Sequence, residues 1–544
     1  MYQQHLLPFA GSLGWSALIA AMPIITLLLL LGVFRTRAWV ATFSGLSVSL
    51  AIALFVYTMP VGQTALAASQ GVAFALFPLA WTFTTAIWIY QMTVDSGHFQ
   101  VQWRALVRIT DDRRIQALLI AFCFGSLLEA LAGQGTPVAI TTVMLLAVGF
   151  SPFRAASTAL VANTVPAAFG PLGLPITTLA KVTGLPVDDL GSMAGRQVPV
   201  IALFVPLLLV GIVDGRRGLG ERWWPALACG LAFALAQFVA SNYVSMPLAD
   251  IAAALAGAGA VIVTARIKVT SPASVPVIAG GAVDLPPPAF TERQRPPHDR
   301  TAALRAFAPY LIIVMTFTLS QLPPVKRALE FATVAIDWPG LHLRTASGAP
   351  STLSVFKLNW LSAPGSLLLV SGLLTMMVLR IHPRAACSAY VRTLGQLREA
   401  VLCVTGLLGL SFVMNASGQA ATLGTWMSGA GPFFAVLAPV LGWLGVALTG
   451  SDTSSNSLFG ALQATAAQNT GLSPVLVTAA NASGGVIGKM ISLQNLTIAA
   501  GAAGLTGREG DLFRKMLGWS ALLLIGMCLL VGLQSTTLLS WMVP

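Results

Sequence analysis

The 544-residue sequence predicts an all-α polytopic membrane protein built from two inverted repeats with broken or re-entrant helices, roughly 12 to 14 transmembrane segments in all. Three observations predict it. Hydrophobic residues make up 56% of the chain and charged residues 9%, whereas about a quarter of a soluble domain is charged. Two apolar runs are interrupted by polar stretches of similar kind, L-E-A-L-A-G-Q-G-T-P-V-A at 128–139 and T-G-S-D-T-S-S-N at 449–456. The basic residues of the short loops set the two interrupted runs in opposite directions across the membrane.

The elements follow in order. The N-terminus lacks the positive region of a cleavable signal, so the run 13–34 reads as the first span. Arg35 and Arg37 follow it, the loop 60–70 carries no charge, and Arg104, Arg108, Arg113 and Arg114 follow a third span ending near Asp95. By the positive-inside rule the N-terminus is outside and 96–114 is cytoplasmic. Phe99, Trp103, Leu106 and Val107 share a helical face, so 98–114 is expected along the inner interface.

The first repeat, about 115–213, leaves the cytoplasm and returns to Arg216, Arg217 and Arg222. Spans at about 224–243 and 248–264 complete an N-terminal half ending at 268. Residues 269–303 hold S-P, P-P-P and P-P clusters and read as a cytoplasmic linker. The C-terminal half, 304–544, begins with a span at 306–322 and an external segment at 323–360, then spans at 366–380 and 400–414. The second repeat, about 434–515, enters from outside and reaches Arg508, Arg514 and Lys515, and a last span leaves the C-terminus outside. The repeats also match in order of landmarks: Thr136 with Thr453, Ser151-Pro152 with Ser473-Pro474, Asn163 with Asn481, then a glycine cluster in each.

Composition excludes several functions. A formal charge of +12 would suggest nucleic acid in a soluble domain, but here it marks topology, so the bilayer and a small molecule are the expected partners. Cys123, Cys229, Cys387, Cys403 and Cys528 form no C-x-x-C pair, and no two of the five histidines have ligand spacing. No metal and no cofactor are expected. G-G-V-I-G-K-M-I-S is not a phosphate-binding loop, because Ser483 and Met490 stand at two of its required positions.

Polar chain at bilayer depth survives only against protein or a water-filled cavity, and an acid there is a site candidate. Most acids lie in loops or at span ends, and Asp250 sits at a helix start, where it suits the dipole. Glu129 and Asp452 remain, one per repeat, as proton-coupling candidates; the competing reading is a structural acid paired to a base. Lys489 is a lone cation amid apolar sequence and a candidate for a substrate carboxylate, whereas Lys181 and Arg196 are expected to snorkel to the surface. Gln134, Gly135, Thr136, Asn163, Ser451, Thr453, Ser454, Asn456, Asn481, Gln494 and Asn495 are the remaining substrate-binding candidates, helped by helix N-termini at the breaks. Isolated hydroxyls would instead bond back to their own helix. The tryptophans, Trp88 among them, read as an interfacial belt.

F-G-S-L-L-E-A-L-A-G-Q-G-T-P-V-A-I, V-A-N-T-V-P-A-A-F-G-P-L-G-L-P, G-S-D-T-S-S-N-S-L-F-G-A-L-Q-A-T-A-A-Q and G-G-V-I-G-K-M-I-S-L-Q-N together resemble the bacterial L-lactate permease family, which includes glycolate permeases. The resemblance runs nearly end to end. It implies proton-coupled uptake of lactate or a related 2-hydroxy monocarboxylate across the inner membrane, with no enzyme activity, by an elevator-type transport domain moving against a scaffold. A homodimer is compatible with it. Glu129, Asn163, Asp452, Asn456, Asn481 and Lys489 match the family pattern, while Gln134 stands where an aromatic residue is expected and points to a more polar or differently sized substrate. The rival readings are sodium coupling through the same hydroxyls and unwound carbonyls, and an intramembrane transferase, for which only Asp111-Asp112 and Asp188-Asp189 offer acid pairs.

Overall fold

The computed structural model of the chain describes residues 2–34, 36–133, 135–265, 300–346, 348 and 350–544. Gln134, Arg35, Arg266, Lys268 and most of the 269–303 linker lie outside the described residues. Apolar runs fold as helices because hydrocarbon offers backbone groups no partner but one another. α1 (Leu13–Gly32) and α2 (Ala38–Phe55) form a hairpin, and α3 (Val61–Phe74) bends at Phe77-Pro78 into α4 (Trp81–Asp95). The amphipathic α5 (His98–Val107) buries Phe99 and Leu106, and its Gln102 Nε2 donates to Ala306 O at 2.5 Å, so it packs under the next half.

The first repeat comprises α6 (Arg113–Ala117) continuing through 118–124 into α7 (Gly125–Leu131), then α8 (Thr136–Ala147), α9 (Pro152–Ala162) and α10 (Leu174–Thr183). Its last member is the first leg of α11 (Val187–Val239). α11 leaves helical geometry at Gly215 and Arg222 and folds back, so that a Cβ on Gly230 would lie 2.4 Å from Leu203 O. The expected spans 198–213 and 224–243 are therefore its two legs. α12 (Ala249–Ala265) packs on α11.

The second half contains α13 (Arg300–Ser320), α14 (Pro323–Phe331), α15 (Pro364–Val378), α16 (Pro383–Ser417) and α17 (Gln419–Met427). The second repeat is α18 (Phe434–Thr449), α19 (Asp452–Thr470), α20 (Pro474–Gly488), α21 (Leu493–Ala502) and α22 (Glu509–Gln534). The repeats interlock: α10 of the first packs on α19 of the second, and α21 of the second packs on α8 and α9 of the first. That reciprocal exchange is the packing expected of an inverted pair.

Ten helical stretches among the described residues are long and apolar enough to cross a membrane, eleven if the 304–331 pair, bent by 82°, is one span. The expected number was higher for a physical reason. Thr136–Ala147 and Pro364–Val378 are too short to count, and the two legs of α11 count once as Val187–Val244.

The stretch expected to be external, 323–360, departs from an all-helical chain. β1 (Tyr2–Gln3) pairs in parallel with β3 (Leu343–Arg344), and β2 (Val334–Asp337) pairs antiparallel with β4 (Val355–Leu358). V-A-I-D and V-F-K-L carry β-branched and aromatic residues outside the helical stretches long enough to span, where pairing satisfies the backbone. Lys181 and Arg196 are partly exposed and end on polar partners. Lys181 Nζ donates to Val355 O at 2.8 Å above the rings of Phe74 and Phe412, and Arg196 bonds Asn242 Oδ1 and Met542 O. Trp88 is buried, donating to Ala386 O, and does not join the belt.

The opposite face gathers the basic loops. Arg114, 1% exposed, meets Asp112, Asp214 and Glu221 at 2.8 to 3.1 Å, and Arg222 closes on Asp112 at 2.7 Å. Burial pushes the Asp112 carboxyl upward, but hydrogen bonds and charge from Arg114 and Arg222 outweigh it and hold the group below its ordinary value. Arg392 pairs with Asp95 and Lys515 sits over Phe153 on the same side.

Candidate functional site

Each repeat breaks a helix where glycine allows a left-handed turn. Gly133 (φ 45°) and Gly135 (φ 82°) separate α7 from α8, and Gly450 (φ 76°) separates α18 from α19. The two breaks converge on the start of α21. A Cβ on Gly135 would lie 3.1 Å from Asn495 Oδ1, and one on Gly450 would lie 2.4 Å from Gln494 Oε1. The polar stretches of the two repeats thus meet at one place.

Beside it lies a buried ion pair between the repeats. Lys489 Nζ is 2.5 Å from Glu129 Oε1, with Lys489 5% and Glu129 2% exposed. The other carboxylate oxygen, Oε2, accepts from Asn163 Nδ2 at 2.9 Å. Asn163 is the C-cap of α9 and Lys489 the C-cap of α20, so equivalent helix ends clamp the two oxygens of one carboxylate. A cation and an amide donor both suit the negative end of a helix. Asn163 ends its helix whereas Asn481 lies inside α20, so the two asparagines are not equivalent.

The two acids are not equivalent either. Glu129 lies inside α7 before its break, whereas Asp452 is the first residue of α19 after its break. Asp452 is 4% exposed, and neither carboxyl oxygen has a hydrogen-bond partner among the described residues. A Cβ on Gly485 would lie 2.2 Å from Asp452 Oδ1, so the glycine makes room for the carboxyl. Ser451 caps α19 by accepting from Ser454 N at 3.3 Å.

The other candidates divide. The side chains of Thr136, Thr453 and Ser454 make no hydrogen bond within the protein among the described residues and are free polar groups at the breaks. Asn495 Nδ2 donates to Lys489 O at 3.1 Å while its Oδ1 is unpartnered, and Gln494 is exposed at the Gly450 break. Asn456 and Asn481 are engaged elsewhere. Asn456 Nδ2 donates to Pro175 O at 3.1 Å, tying the repeats together, and Asn481 donates to Asn456 Oδ1 and accepts from Gln463. Both are fully buried and brace the site.

Sequence reasoning set Asp250 aside as a dipole acid. It does start α12, but it is 0% exposed, with Gln237 Nε2 donating to Oδ1 at 2.9 Å and Oδ2 unpartnered. Only its place within an apolar tract could have flagged it. Among the described residues no group of three potential ligands could hold a metal.

A multi-pass helical chain whose two broken helices close on a buried ion pair is, by fold and site, a membrane permease. The chain belongs to the L-lactate permease family, whose model matches residues 16–538. It is 37% identical to the L-lactate permease of Bacillus subtilis (strain 168), with 100% of both chains covered. It is 39% identical to glycolate permease GlcA of Escherichia coli (strain K12), with 93% of each covered, and 37% identical to the L-lactate permease of the same strain, with 100% of each covered.

Proposed function

We propose that this protein takes up lactate, glycolate or a related 2-hydroxy monocarboxylate across the inner membrane together with a proton. The Glu129–Lys489 pair carries the reading. Lys489 is the cation at the convergence of the breaks, and Glu129 occupies it. A substrate carboxylate competes for the same ammonium. Once displaced, Glu129 is a buried anion with only the Asn163 amide, and a proton neutralises it. Substrate and proton then load together with no change in the net charge of the pocket. Asp452, unpartnered at the head of α19, supplies the path by which the proton arrives. The free hydroxyls of Thr136, Thr453 and Ser454 suit the 2-hydroxyl of the substrate. Gln134, outside the described residues, stays assigned to specificity.

The same reading keeps the halves as 1–268 and 304–544 joined by a cytoplasmic linker, with both termini outside. Contacts that gather β1, β3, Lys181, Arg196 and Met542 on the face opposite the Arg114 cluster support this orientation. The interlocked repeats would move as the transport domain against α1–α4 and α13–α16.

The test is uptake of labelled lactate, glycolate and a dicarboxylate into proteoliposomes. Accumulation of monocarboxylates under an inward proton gradient, indifferent to sodium, is expected. Accumulation that follows sodium and ignores pH would establish the rival coupling through the same acids and hydroxyls.

A further inference from the structure

Lys181 is a half-buried cation that the mechanism above does not use. It stands in the last turn of α10, where a cation suits the helix dipole. Its ammonium, however, ends on another element and not on the last carbonyls of α10. Nζ donates to Val355 O of β4 at 2.8 Å and lies 5.9 and 5.8 Å from the ring centroids of Phe74 and Phe412. These partners are uncharged, and no carboxylate pairs with Lys181 among the described residues.

The β2–β4 hairpin that supplies the carbonyl is anchored on α3. Just after β2, Trp338 Nε1 donates to Ser69 Oγ at 3.1 Å, Gln63 Nε2 donates to Gly340 O at 2.7 Å, and His342 N donates to Gln63 Oε1 at 2.9 Å. Three hydrogen bonds thus hold this stretch to α3, and the Lys181 bond joins it to α10. One apolar cluster contains Phe356 of β4, Phe74, Phe412, Leu174 and Val182 of α10, and Ala132, the residue before Gly133 of the first break. Apolar side chains therefore fill the way from the hairpin to that break. If α10 moves with the repeats against α3, the β2–β4 hairpin stays behind, and the hydrogen bond that parts is the one from Lys181 to Val355.

We infer that Lys181 is a second carboxylate-binding residue, which takes the substrate anion when α10 parts from the β2–β4 hairpin, before the anion reaches Lys489. This rests on the carboxylate-transport reading above and is independent of the coupling ion. An ammonium stripped of its acceptor among apolar side chains is costly, and a carboxylate is a stronger acceptor than the carbonyl it replaces. Lys181 is partly exposed, so an arriving anion can touch it. Val355 O holds this ammonium as Glu129 holds that of Lys489, and in each case the substrate carboxylate takes the place of the protein's own acceptor.

The experiment is the initial rate of lactate uptake against lactate concentration, in vesicles that present the β2–β4 hairpin to the medium. Lys181→Gln is expected to raise KM about tenfold and leave kcat within about twofold. Lys181→Arg, which keeps the charge, stays within about threefold of the wild-type KM. A folded Lys181→Gln protein with the wild-type KM overturns the inference, as does a fall in kcat at unchanged KM, the mark of a latch that meets no ligand. A Lys181→Arg protein as impaired as Lys181→Gln overturns it too. If Lys181→Gln does not fold, Lys181→Met, apolar like the neighbouring rings, is read on the same terms. Wild-type vesicles that take up no lactate would sink the carboxylate-transport reading itself, a distinct result visible before any variant is examined.

Discussion

Lys489 of the second repeat and Glu129 of the first form a buried ion pair at 2.5 Å, the one charged contact among the described residues that bridges the two breaks. Neither residue can be exchanged alone without stranding the other. Replacing one member of such a pair typically costs about 3 to 5 kcal/mol. Lys489→Met is therefore expected to lower the melting temperature of the detergent-solubilised protein sharply and abolish lactate binding. The double variant Glu129→Gln, Lys489→Met should regain most of the stability and none of the binding. A Lys489→Met protein that binds lactate normally would remove Lys489 from the anion site.

Asp452 makes a cleaner variant because it accepts no hydrogen bond among the described residues. Asp452→Asn should fold and support lactate counterflow but fail to accumulate lactate under a pH gradient. Wild-type accumulation by that variant would refute its part in the proton path.

The site was legible in the sequence as far as it depended on local chemistry. Gly133, Gly135 and Gly450 interrupt apolar runs, and a lysine inside V-I-G-K-M-I has no innocuous reading in a membrane. Pairing was not legible. Glu129 and Lys489 are 360 positions apart, and no periodicity connects them. Asp250 was hidden because a helix-start acid needs no further explanation, and its partner Gln237 stands on the other side of a turn. Asn456 and Asn481 looked like ligands because they are buried amides; only the contacts to Pro175 O and Gln463 reveal their bracing role.

The α18–α20 seam is closed by glycines. A Cβ on Gly442 would lie 1.9 Å from Asn481 O, and one on Gly484 would lie 2.1 Å from Pro439 O. Backbone cannot yield as a flexible side chain does, and small residues let membrane helices approach this closely. Gly484→Ala should destabilise the protein by about 1 to 3 kcal/mol or more, read as a lower melting temperature together with reduced uptake. Gly526→Ala, with nothing within 4 Å of its Cβ position, is the neutral control.

The Arg114 cluster makes a pH prediction. The folded protein holds Asp112 below its ordinary value, so its contribution is complete above the unfolded carboxyl range near pH 4 and is lost as pH falls through the folded value. Asp112→Asn should lower thermal stability at pH 7 and flatten the further loss seen in wild type below about pH 4. An Asp112→Asn protein with the wild-type stability profile from pH 7 down to 3 would contradict this.

In the proposed mechanism substrate and Glu129 compete for one ammonium. Calorimetric titration of purified protein with lactate, repeated in buffers of different ionisation enthalpy, counts the protons that accompany binding. Wild type should take up about one proton per lactate near neutral pH, and Glu129→Gln none. Binding without proton uptake in wild type, or the same uptake in Glu129→Gln, would contradict it.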